Sequence, residues 1–179
     1  MRRIKFIFAL AFIIPCFTPF SHAADLTLNA PAQIFFSPSG GCTEAIIKEI
    51  SQAKQEILVQ AYSFTSAPIA KALIEAHKRG VKVSAILDKS QRNEKYTSAT
   101  FLANSRIPTF IDDTHAIAHN KIMIIDRATV ITGSFNFTKA AEEKNAENLL
   151  IIQSKELAKL YIENWQRHRE HSVEYGARY

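Results

Sequence analysis

Cysteine is nearly absent from this sequence: 179 residues contain two, Cys16 and Cys42, and the first falls in an N-terminal segment that reads as a leader. With Cys42 alone in the remainder, no intrachain disulfide can form even in an oxidising compartment, and Cys42 reads as a small buried residue. Glycine and proline are also scarce, at five and six. No Pro/Gly/Ser linker, internal repeat or low-complexity tract divides the chain, so the alternation of short apolar runs with helical patterns from about Gln33 onward predicts one α/β domain. The apolar run from Ile4 to Ile14 is shorter than the roughly 20 residues a membrane-spanning helix needs.

That run is instead the centre of a secretory signal peptide. Basic Arg2, Arg3 and Lys5 mark its start, Pro15 and Pro19 end its helical potential, and Ser21-His22-Ala23 supplies a cleavage site after Ala23. Cys16 follows Pro15 and not the small residue a lipid-attachment site requires. The expectation is a soluble periplasmic or secreted protein with no stable membrane association once residues 1–23 are removed. Residues 24–179 then form a single domain of ordinary size. Its net charge falls from +5 to +2, because three of the 22 basic residues belong to the leader. Overall basicity is therefore no argument for a nucleic-acid partner.

Along the mature chain, Ile34–Phe36 reads as a strand, and Thr43 is placed to cap a helix whose Ile46, Ile47 and Ile50 share a face. Glu56–Tyr62 reads as a buried strand. Ser66 caps a second helix with Pro68 in its first turn and Ile69, Leu73 and Ala76 on one side, ended by Gly80 before a strand Val81–Leu87. The polar segment Asp88–Lys95 follows a strand end, where α/β folds place functional loops; its three basic residues either reach phosphates or are simply solvated. Ile107–Ile111, Ala116–Ile125, Thr129–Thr132 and Asn148–Ile152 read as further strands. Ser154 caps a last helix whose Leu157, Leu160, Tyr161 and Trp165 face the core.

The chemistry lies in the segment His119-Asn120-Lys121 and in the residues that pair with it. On an extended strand, positions 119 and 121 project to one face, so an imidazole stands beside an ammonium. Such a pair suits phosphoryl transfer: the imidazole can attack phosphorus or carry a proton near neutral pH, and the fixed charge holds nonbridging oxygens. Asp126, at odd spacing, belongs to the opposite face and reads as structural. If the next strand pairs as a hairpin, Ser134 and Asn136 bring neutral hydrogen-bonding groups near the pair, and Gly133 allows close backbone approach. Glu147, opening the last apolar strand, could accept a hydrogen bond from the ring nitrogen of His119 that faces away from phosphorus.

His119, Lys121 and Asp126 reproduce the H-x-K-x4-D motif of the phospholipase D superfamily, and Gly133, Ser134 and Asn136 reproduce its G-S-x-N companion. A chance H-x-K-x4-D in a chain of this length is an event on the order of one per cent, and the companion motif lowers that further. With its leader, its single motif copy and Glu147, the chain resembles the small bacterial endonucleases of that superfamily over nearly all of its mature length. The resemblance implies an α/β fold of phospholipase D/nuclease type, with a mixed β-sheet flanked by helices on both faces. It implies hydrolysis of DNA phosphodiesters, with RNA a second candidate substrate, without a metal or other cofactor and through a phosphohistidine. One histidine attacks, and a second protonates the leaving oxygen. A chain with one motif must then take the second histidine from another copy, which implies a homodimer with both His119 side chains at its two-fold axis.

Other features read more plainly. His115 shares parity with His119, but a zinc site is not expected there, since no cysteine and no clear set of carboxylates completes the ligation. His168 and His171 read as a solvated C-terminal face. Ser39-Gly40-Gly41 lacks the lysine and spacing of a P-loop and reads as a tight turn. Two rival functions stay open: a lipid phosphodiesterase, and a catalytically silent nucleic-acid-binding module.

Overall fold

The computed structural model describes residues 23–176; the leader expected at the N-terminus lies almost wholly outside them. The architecture is one eight-stranded sheet. Its strands are β1 (Ala32–Ser37), β2 (Glu56–Ala61), β3 (Lys82–Asp88), β4 (Thr109–Asp112), β5 (Lys121–Ile125), β6 (Thr129–Gly133), β7 (Glu147–Gln153) and β8 (Val173–Glu174). They lie in the order β1-β7-β6-β5-β2-β3-β4-β8. The β2, β3 and β4 strands are mutually parallel, and every other neighbouring pair is antiparallel. The sheet is thus mixed, as expected.

Helices cover both faces. On one, α1 (Cys42–Gln52), α2 (Ala67–Lys78) and α3 (Ser98–Asn104) bury Ile46, Ile50, Ile69, Leu73 and Leu102 against Ile57, Val59, Met123, Ile125 and Ile151. On the other, α5 (Lys155–His171) lays Ala158, Ile162 and Trp165 over Leu58, Ile86, Ile122 and Ile124. Alternate residues of β2 and β5 therefore serve two different cores, which is why those strands read as continuous apolar runs. Trp165 is structural: buried against the sheet, its indole N–H donates to the Val59 carbonyl at 2.9 Å. Leu157 and Tyr161, each one residue before a buried position of α5, are partly buried against the same cluster.

Several boundaries differ from expectation. Ala116–Ile125 is a strand only from Lys121, because β2 ends at Ala61, opposite Lys121, and residues before that point overrun their partner. Ile107 falls outside β4, preceded by Arg106 in a left-handed conformation. Helix α1 starts behind Gly41, not Thr43, whose backbone N–H instead donates to Glu142. Ser66 occupies the N-cap position of α2 without a side-chain cap bond, whereas Ser154 Oγ accepts from the Leu157 N–H at 3.2 Å, as expected. Two short helices, α3 and α4 (Lys139–Glu143), carry too few periodic residues to stand out in the sequence.

The glycine turn before α1 shows why it is not an anion site. Ser39 and Gly41 are left-handed, and a Cβ on Gly40 would strike the Phe36 carbonyl. The N–H groups of Gly41 and Thr43 that could have held a phosphate already hold the Glu142 carboxylate, at 3.1 and 2.7 Å. The chain supplies its own anion to this helix end.

Candidate active site

The end of β2, the start of β5, the end of β6 and the start of β7 meet along one rim of the sheet. His119 lies two residues before β5, in the β4–β5 connection, and is exposed. Lys121, the first residue of β5, is only 7% exposed. Its Nζ is 3.2 Å from Nδ1 of His119 and donates to the His119 carbonyl at 3.0 Å. The expected juxtaposition therefore exists, with His119 two residues ahead of the strand that Lys121 opens. Among the described residues Nε2 of His119 has no hydrogen-bond partner.

Tyr62, which the sequence presents only as a strand end, backs the pair. Its ring centroid is 4.6 Å from that of His119, and the Lys121 ammonium lies 5.2 Å from the same ring. Just past β2, its N–H donates to the Asn120 carbonyl at 2.7 Å, fixing the backbone between histidine and lysine. An aromatic residue at the exit of a buried strand was the only signal available. Burial pushes the Lys121 ammonium below its ordinary pKa, and the charge of Glu147 opposes that shift.

The companion motif follows β6 directly. Gly133 has φ 141°, and a Cβ there would collide with the Asn148 carbonyl, so the backbone of this turn passes where only glycine fits. Ser134 Oγ accepts from the backbone and side-chain amides of Asn148, at 3.0 and 3.3 Å. Phe135 and Phe137 are fully buried and hold the turn down. The Phe137 carbonyl accepts from Thr65 and Ser66 at 3.0 and 2.9 Å, tying the segment to the chain just after Tyr62. Between them, Asn136 has a buried Oδ1 with no partner among the described residues.

One expected role changes, that of Glu147. Within one chain Glu147 does not touch His119: β6 separates β7 from β5, and Glu147 Oε1 accepts instead from the Asn145 side chain at 3.0 Å. Its influence reaches the pair through the charge it presents to Lys121. Asp126, the last residue of the H-x-K-x4-D motif, sits at the far end of β5, roughly 17 Å along a strand of five residues from Lys121. There Asp126 and Arg127 are both left-handed, at φ 51° and 56°, in the tight turn to β6. The Asp126 carboxylate accepts from the N–H groups of Lys54, Gln55 and Glu56 at 2.8, 2.7 and 3.0 Å. Burial would raise its pKa, but these three donors outweigh burial and lower it. This is the placement of a structural residue and not of a catalytic one.

The polar segment after β3 supports the His119 loop. Asp88, 2% exposed, accepts from Ala118 N at 2.8 Å. Lys89 donates to the His115 carbonyl and Arg92 pairs with Asp113 at 2.8 Å. These cations brace the loop. His168 and His171 are not a solvated face: with His115 they surround the buried carboxylate of Asp112, which no local pattern in the chain places beside the two on α5.

An exposed imidazole backed by a buried ammonium, beside a glycine-dependent turn bearing hydroxyl and amide groups, is equipped for nucleophilic attack on a phosphodiester. Residues 46–169 match the family model described as cardiolipin synthase, PLD-like domain. A Rickettsia felis protein named phospholipase D is 46% identical over 138 residues, covering 77% of this chain and 69% of that one; the chain spans about two thirds of the length of the relatives of that name. Among solved structures, the phospholipase D family member Nuc from Salmonella typhimurium superimposes with a TM-score of 0.79 at 40% identity, covering 82% of this chain and 98% of that one. NucT from Helicobacter pylori superimposes with a TM-score of 0.75 at 27% identity, covering 82% and 99%. The chain belongs to the phospholipase D superfamily. Within it, the fold and site are those of a phosphodiesterase, a hydrolase of phosphodiester bonds.

Proposed function

We propose that this phosphodiesterase is an exported, nonspecific DNA endonuclease acting in the periplasm or outside the cell, and that two copies of the chain complete one active site. The observation that carries the reading is the single His119–Lys121 pair. Hydrolysis through a histidine intermediate needs a nucleophile and an acid, and one chain offers one imidazole at this edge.

Nε2 of His119 attacks phosphorus, forming a P–N bond as the P–O bond to the leaving oxygen breaks. The second copy's His119, protonated, gives its proton to that oxygen. Water then attacks the phosphohistidine, its proton passing to the now neutral second imidazole, and the P–N bond breaks to release the phosphate ester. The two Lys121 ammoniums hold the nonbridging oxygens, and Ser134 and the amide of Asn136 offer further hydrogen bonds. Nucleophile, acid and countercharge all come from side chains, and no metal is assigned to this step.

One observation favours a lipid substrate instead: the Rickettsia relatives carry the name phospholipase D. Incubating the purified protein with plasmid DNA, single-stranded DNA, RNA and phosphatidylcholine vesicles in excess chelator separates the readings. Cleavage of DNA under chelation is the expected result. Release of headgroup with intact DNA would transfer the assignment to lipid, and DNA binding without cleavage of any substrate would make the chain a binding module.

A further inference from the structure

On the other side of the β4–β5 loop lies a second cluster, and we propose that it is a binding site for a first-row divalent metal ion, zinc foremost, held by Asp112, His115, His168 and His171. The four residues come from three parts of the chain: the end of β4, the loop that leads to His119, and the last turn of α5. The candidate ligand atoms, one from each residue, all lie within 4.8 Å of one another. Nδ1 of His168, Nδ1 of His115 and Nε2 of His171 stand 2.7, 3.0 and 3.3 Å from Asp112 Oδ2. A tetrahedral zinc with ligands about 2.0–2.1 Å away needs its donor atoms roughly 3.3 Å apart. The three distances to Asp112 are already close to that spacing.

Its chemistry fits as well. Three imidazoles and one carboxylate make a borderline donor set suited to zinc and its neighbours, unlike the all-oxygen sets of calcium or magnesium. The Asp112 side chain is 0% exposed, a costly place for a carboxylate that gathers no lysine or arginine. His115 and His171 are 45% and 35% exposed, leaving an approach for the ion from solvent. The surroundings also orient the ligands: Thr114 N–H donates to Asp112 Oδ1 at 3.3 Å and Ser172 Oγ to the His168 carbonyl at 2.6 Å. His168 and His171, three apart on α5, share one helix face. The nearby cations Lys89 and Arg92 are committed to the His115 carbonyl and Asp113, and Arg169 stacks on Phe110 at 3.4 Å.

The ion would join β4, α5 and the loop whose fourth residue after His115 is His119. It is a clamp on the segment that carries the nucleophile, and it takes no part in the phosphodiester step. The cluster is independent of the substrate and would hold the ion whether the enzyme cleaves DNA or lipid.

The test uses untagged full-length protein exported and processed by its host. Metal analysis after chelation and reloading should give one zinc per chain, cobalt(II) should give the visible bands of a tetrahedral nitrogen/oxygen site, and zinc at about 100 times its Kd should raise Tm by roughly 5 °C or more. His171→Gln and His168→Gln, which alter partly exposed side chains, should each weaken zinc binding by roughly tenfold or more. His119→Ala should bind zinc as the parent does. A chain that takes up no stoichiometric zinc and shows no Tm shift would reduce the cluster to histidines hydrogen-bonded to Asp112 and overturn the proposal. So would equal binding in the two glutamine variants, or loss of binding in His119→Ala.

Discussion

Nζ of Lys121 stands 3.2 Å from Nδ1 of His119 while also donating to that residue's carbonyl oxygen at 3.0 Å. One ammonium thus fixes both the ring and the backbone of the histidine, leaving Nε2 as the reactive nitrogen. An imidazole whose Nδ1 accepts from an ammonium carries its one proton on Nε2, whereas a general acid carries protons on both ring nitrogens, so the Lys121 contact to Nδ1 must be given up in the copy that acts as acid. The attacking copy must instead carry its proton on Nδ1, and the two subunits of a shared site would differ in this respect.

His119→Ala should lower turnover by roughly a thousandfold or more while leaving Tm close to that of the parent, since the side chain is exposed and packs mainly on Tyr62. Mixing parent with excess His119→Ala under subunit exchange should depress activity below simple dilution. Activity proportional to the parent fraction, or a fully active monomer by light scattering at assay concentration, would remove the shared site.

Lys121→Ala should lose about 3 kcal/mol or more of transition-state stabilisation, read as a fall in kcat. A raised KM with nearly unchanged kcat would show that the ammonium binds substrate without supporting the reaction. Because this side chain is buried, Lys121→Met is the useful companion variant: it keeps the packing and removes the charge.

Glu147→Gln tests whether the carboxylate acts on Lys121 across the site. Burial lowers the lysine pKa and Glu147 raises it, so losing the carboxylate must lower it further. The alkaline limb of the pH–kcat profile should move to lower pH in Glu147→Gln, with kcat reduced and substrate binding retained. An unmoved alkaline limb with parental kcat would make Glu147 a bystander.

Asp126→Ala should cost about 1–3 kcal/mol of stability at neutral pH by removing the charged acceptor shared by three backbone donors. The folded carboxyl has a pKa below its ordinary value, so its contribution is fully present above the unfolded value near ~3.9 and fades as pH falls through the folded one. In acid melts the parent and Asp126→Asn should therefore converge in Tm below about pH 4. A gap that stays constant through that range would show that charge is not what the three donors recognise.

The superfamily, the mixed sheet and the His119–Lys121 pair were legible because each is written locally, in a motif or an apolar run. What the sequence hid is what depends on strands meeting. Nothing near Glu147 shows that β6 will stand between it and His119, and nothing near Asp112 shows that α5 will bring His168 and His171 over it from 56 residues away. Tyr62 was invisible for the same reason: its importance comes from Asn120, which reaches it only when β5 pairs with β2. Asp126 was legible in role, since odd spacing set it apart from the catalytic face, although its three backbone partners could not be named.

The sheet order carries a further consequence. The first strand, β1, sits at an edge and pairs with β7, while the turn behind it is closed by Glu142. A ribosome delivers β1 more than a hundred residues before either partner exists, so synthesis and assembly run in opposed directions and the edge must wait, unpaired, for the distal third of the chain. Such late closure favours slow folding and delays the native state until translation is nearly complete. A chain that cannot finish folding early is one that stays threadable for longer.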